Sequence, residues 1–123
     1  MTQRDKLLLK KILKNQELLR SALKELKIAS PSDLSNIHAM MRRGMMQTVG
    51  DIFELTVLMS DEVVKELPLQ HDLIRQFRNT ASHNYGEITN ALAFMCITHC
   101  IDVGLIKVIR EMCEDEKLQG RAK

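Results

Sequence analysis

Between Leu9 and Leu26 the apolar residues keep a seven-residue spacing: Leu9, Gln16 and Leu23 form one series, and Ile12, Leu19 and Leu26 form the other. A strand repeats every two residues and would scatter these positions over both faces, whereas a helix gathers them into one seam. The spacing predicts a helix from about Arg4 to Ile28 with that seam laid against a second helix. Little elsewhere favours strands. The chain has five Gly, two Pro and no Trp, and its aromatics are Phe53, Phe77, Phe94 and Tyr85. Leu, Met, Lys and Glu dominate, and these residues prefer helices. The expected fold is all-α.

At 123 residues, 45% hydrophobic and 28% charged, the chain reads as one domain (1–123) able to bury its own core. Ser30-Pro31-Ser32-Asp33 is a stop-and-restart signal, with a serine cap, a proline for the first turn and an acid at the positive end of the helix dipole. A second helix is expected from about Leu34 to Ser60. Its inward face would carry Leu34, Ile37, Met41, Met45, Val49, Ile52, Thr56 and Met59, with Met40, Phe53 and Val57 beside it. Met40, Met41, Met45 and Met46 are read as core fillers. Gly44 and Gly50 are candidate points of close helix approach. Arg42 and Arg43 read as solvated, though able to reach a phosphate.

Asp61–Glu66 suggests a short helix capped by Asp61 and ended by Pro68. A further helix is expected from about Leu69 to Thr80, with Leu69, Leu73, Ile74 and Phe77 inward. The last runs from about Glu87 or Ile88 to Glu116 on a stripe of Ala91, Met95, Thr98, Ile101, Leu105, Val108 and Met112. Residues 118–123 are expected to fray. The sum is an up-and-down bundle of four main helices plus one short one, with an apolar face available to a second copy.

Net charge is +2, which decides little about partners, and the lysines of the first helix read as a solvated exterior. No apolar run is expected to reach the length of a bilayer span, and the lysine-interrupted leucines of the opening residues do not read as a secretory leader. With three cysteines, a reducing cytoplasm is the expected compartment. Cys96, His99 and Cys100 share about one helical turn and are candidates for a metal site. Without Cys-x-x-Cys spacing or a fourth ligand, buried thiols are the better reading, and no metal or cofactor is expected. His38 and His71 read as ordinary surface or core histidines. All five glycines are isolated, so no phosphate-cradling loop is present. The scarcity of aromatics argues against binding single strands by base stacking.

One stretch carries chemistry: Arg78-Asn79-Thr80-Ala81-Ser82-His83-Asn84-Tyr85. A permanently charged guanidinium can hold phosphate oxygens, and an imidazole near neutrality can take the proton of a ribose 2′-hydroxyl. Together they suit metal-free transesterification of RNA, a reaction DNA cannot undergo. On a straight helix, positions five apart lie about 140° around the axis. The two groups therefore converge only if the chain breaks between them, or if each works with another helix or subunit.

Arg-Asn-x-x-x-His at Arg78–His83 resembles the signature of HEPN-domain proteins, and the x-Tyr extension to Tyr85 looks like their HepT toxin branch. A basic first helix, a long second one, the Glu66-Leu67-Pro68 turn and a long closing helix agree with that layout. The resemblance implies a homodimer with the motif lining a cleft between protomers. It implies a metal-independent endoribonuclease toxin with Arg78 and His83 catalytic and Asn79 supporting. It also implies a minimal nucleotidyltransferase antitoxin that silences the toxin by adding AMP to Tyr85. A different class of reading is a non-catalytic helical partner, or substrate-binding subunit, of such a nucleotidyltransferase.

Overall fold

Helix α1 (Gln3–Glu25) begins at a capping box: the Asp5 N–H donates to Thr2 Oγ1 at 3.0 Å, and the Thr2 N–H donates to Asp5 Oδ2 at 3.1 Å. Its seam is the expected one. Leu9, Ile12, Gln16 and Leu19 are buried, and Leu23 and Leu26 are half-buried against the core. The helix ends in a Schellman motif, in which the Ile28 N–H reaches back to the Leu23 carbonyl and Lys27 takes the left-handed conformation at φ 55°.

The computed structural model describes residues 1–84 and 87–121, without the side chains of His83 and of residues 116–121. Among the described residues there are six α-helices and no strand. After α1 come a 3-10 turn (Pro31–Asn36), α2 (Ala39–Val57), α3 (Asp61–Val64), α4 (His71–His83), α5 (Asn90–Cys100) and α6 (Val103–Arg121). Helix α1 packs on α2 and α6, α2 also meets α4 and α5, and α5 lies against the 3-10 turn. The all-helical bundle agrees with the expectation.

Several boundaries differ, each for a local reason. The second helix does not start at Leu34, because the Ser30–Asp33 capping box closes a separate 3-10 turn. His38 then caps α2 afresh, its Nδ1 accepting from the Met40 N–H at 3.1 Å. Met45 and Met46 are core residues as expected, but Met40 and Met41 sit in the first turn after this restart and are exposed. Val57 is also exposed, on the last residue of α2. Gly44 marks no close approach, since a Cβ there would meet open space.

Asp61 is the first residue of α3 rather than its cap. Ser60 precedes it, and its N–H and hydroxyl both go to Asp5, at 3.0 and 2.7 Å. The α3 junction is thereby tied to the start of α1.

The expected closing helix is two helices. Asp102 interrupts it: its Oδ1 accepts from the Leu105 N–H at 3.1 Å, capping α6. The carbonyl at the end of α5, that of Cys100, lies in the buried interior and accepts from Gln16 Nε2 at 2.9 Å. The expected stripe holds at Ile101, Leu105, Val108 and Met112, which are buried or packed against the core, but within α5 it is rotated. Ala91, Met95 and Thr98 are exposed, while Leu92, Ala93, Cys96, Ile97, His99 and Cys100 are buried. Helix α6 continues past Glu116 to Arg121.

By length and composition the 26-residue stretch Asn90–Asp115 could cross a membrane, since an 18-residue window within it has mean hydropathy 1.9, contrary to the expectation that no such run exists. Half of that window is buried within the protein itself, and the Asp102 break divides it.

Candidate functional site

Helix α4 is sharply two-sided. Leu73, Ile74 and Phe77 are buried, and Ala81 packs against the same core. Phe77 meets Phe53 of α2 edge-to-face at 5.3 Å between ring centroids. Phe53 in turn lies 6.4 Å from the His99 ring of α5. This aromatic anchor fixes the rotation of α4, and residues one step from the buried ones are carried to the edge that faces α2.

At that edge lies an open cleft of about 850 Å³ between α2 and α4. From α4 it is lined by His71, Arg75, Arg78, Asn79 and Ser82, and from α2 by Gly50, Asp51 and Glu54. Arg78 reaches across it, with Nε 3.4 Å from Glu54 Oε1 and the two side chains 49% and 59% exposed. Arg75 pairs along its own helix with Asp72 at 3.7 Å. Asn79 is exposed on the cleft edge, and its carbonyl accepts from Ser82 Oγ at 2.8 Å. Asp61 completes the charged lining, so this wall carries three carboxylates against two guanidiniums and His71.

Helix α4 is continuous through both motif residues and stops directly after them, at Asn84, whose N–H donates to the Thr80 carbonyl at 3.2 Å. The chain therefore does not break between Arg78 and His83, and their Cα positions are about 140° apart around one axis. Of the two routes to convergence, only help from another helix or another copy remains. The His83 side chain, Tyr85 and Gly86 lie outside the described residues.

Two cleft residues were not anticipated. His71, taken for an ordinary histidine, sits seven positions before Arg78 and so on the same face of α4 as Arg78 and Arg75. That spacing was readable in the sequence. Glu54 was not, because nothing local links it to a residue on another helix. Arg42, read as solvated, is half-buried with its guanidinium already engaged. It donates to the Ile88 carbonyl at 2.6 Å and to Asn90 Oδ1 at 3.0 and 3.2 Å, pinning the chain where it enters α5.

The sulfurs of Cys96 and Cys100 are buried, as read from the sequence. Burial pushes the Cys96 thiol up to about 12 and the Cys100 thiol well above its ordinary range. His99 Nε2 accepts from the Gln70 N–H at 3.2 Å, just ahead of α4. Burial lowers its pKa, with nearby Asp102 opposing. These groups serve the core, and among the described residues no three His, Cys, Asp or Glu side chains gather as a metal site. Comparison with protein-family models, with curated proteins and with solved structures finds no match to this chain.

Proposed function

We propose that this chain is a metal-independent endoribonuclease whose working unit is a pair of copies. The observation that carries the reading is the placement of Arg78, half-exposed at the edge of an 850 Å³ cleft, on an unbroken helix that ends at His83. One copy sets the two motif positions on different sides of α4, and in this reading a second copy, rather than another helix, brings a guanidinium and an imidazole to one phosphodiester.

In that shared site His83 takes the proton of a ribose 2′-hydroxyl. The 2′-oxygen attacks the adjacent phosphorus, and the 5′-oxygen leaves and is protonated. A 2′,3′-cyclic phosphate and a 5′-hydroxyl end remain. Arg78 binds the non-bridging oxygens as charge builds on them, and Asn79 supplies a neutral polar contact beside it. Tyr85 lies two residues beyond His83. Transfer of AMP onto its phenolic oxygen by a nucleotidyltransferase antitoxin would place phosphate charge beside the site, where it blocks RNA and competes for Arg78. A nuclease held in check in this way is a toxin when free.

The test is cleavage of RNA by purified protein. Wild type cuts with or without chelator, while Arg78→Ala and His83→Ala lose the activity. Equal cutting by both variants would assign it to a contaminant. Incubation with the cognate transferase and ATP adds mass in multiples of AMP, and Tyr85→Phe removes that gain.

A second reading is favoured by the acidic wall of the cleft. Asp51, Glu54 and Asp61 repel a polyanion, which suits a non-catalytic helical subunit that docks on a nucleotidyltransferase. That reading requires no cleavage and a stable complex with the transferase on size-exclusion chromatography.

A further inference from the structure

The ion pair between α2 and α4 sits at the proposed site, and it is exposed on both sides. A pair this open contributes little to holding the fold together. Its electrostatic consequence is larger, because the same guanidinium is needed for phosphate. With Glu54 Oε1 3.4 Å from Arg78 Nε, a phosphate approaching Arg78 enters the field of a carboxylate already in place. Asp51 stands one turn back on the same side of α2, lining the same cleft. Of the three cleft carboxylates, Glu54 is the one in ionic contact with the motif arginine.

We propose that Glu54 is the internal counterion of Arg78, holding its guanidinium across the cleft in the free protein and releasing it to the phosphate when RNA enters. The inference rests on the nuclease reading of the same cleft. The exchange follows from charge and geometry. A phosphate offers Arg78 two oxygens in a fork-to-fork contact, against the single wet contact with Glu54, so the guanidinium transfers. The carboxylate left behind regains a solution cation. Binding at this position therefore releases about one counterion fewer than an unpaired arginine would. Glu54 thus sets a threshold: weakly held polyanions do not displace it, and a properly seated strand does.

The experiment measures binding separately from cutting, using a fluorescent 2′-O-methyl RNA oligonucleotide that has no 2′-hydroxyl to react. Fluorescence anisotropy is recorded across a salt series for wild type, Glu54→Gln, Arg78→Ala and the double variant. Glu54→Gln should bind about three- to tenfold tighter, with a salt slope steeper by about 0.7, the value for one added phosphate contact on a single strand. Both gains should vanish in the Arg78→Ala background, since the counterion would have nothing to release. Unchanged binding by Glu54→Gln overturns the inference. So does a gain that persists in full without Arg78, because Glu54 would then be a general repulsive charge. If Arg78→Ala binds RNA as wild type does, the nuclease reading itself fails and takes the inference with it. Glu54→Gln lies at an exposed position, and an unchanged thermal melt confirms that the comparison is between folded proteins.

Discussion

Lys27 pays a conformational penalty for ending α1. A side chain with a Cβ in the left-handed region costs on the order of 1 kcal/mol, and the position is the C′ site where glycine is ordinarily found. Lys27→Gly should therefore stabilise the protein by about 0.5–1 kcal/mol, read as a higher denaturant midpoint with unchanged m-value. Asp5 makes a pH-dependent contribution. Donation from the Ser60 N–H is the main cause that holds its carboxyl at about 2, helped by the Ser60 hydroxyl and by Thr2 against an opposing burial effect. A folded-state value below the unfolded one means this stability is fully present above about pH 4 and is lost as pH falls towards 2. Denaturation midpoints of wild type should drop through that window, and Asp5→Asn should flatten this part of the drop.

Among the elements, the break between α5 and α6 is the least expected and the most readily tested. Asp102 caps α6 and faces the ring of His99 through its charge. Asp102→Ala should cost about 0.5–2 kcal/mol in thermal or denaturant unfolding, the usual loss for a helix cap. Helix α1 was legible in advance because its apolar residues keep one period and its lysines fill the other faces. The rotated stripe of α5 was not legible. That segment is apolar on nearly every side, so periodicity cannot say which face turns inward, and a single aspartate inside an apolar run does not announce a cap. The start of α2 was missed for a related reason. The same Ser-Pro-Ser-Asp signal serves a long helix or a short 3-10 turn, and the later cap by His38 has no distinctive sequence. Within α4, Leu73, Ile74 and Phe77 were correctly read as inward, and that placement alone carries Arg78 to the cleft edge.

For the whole molecule, the motif supplied Arg78 and Asn79 as cleft residues and helical spacing could have added His71, while Glu54 became visible only once α2 and α4 were packed together. Local spacing predicts what shares a helix face; it does not predict what stands opposite. The unbroken α4 removes one route to convergence, a chain break between Arg78 and His83, and leaves help from another helix or the proposed second copy. Mixing Arg78→Ala protein with His83→Ala protein tests the two-copy site most directly. Under subunit exchange about half of the pairs contain one chain of each kind, and each mixed pair retains one intact Arg78 and one intact His83 on different chains. If the site is built between copies, RNA cleavage should reappear at about a quarter of the wild-type rate, although neither variant cuts alone. If the mixture stays as inactive as its components while exchange is verified by mass, the guanidinium and the imidazole are not shared between copies, and the account of the site is wrong.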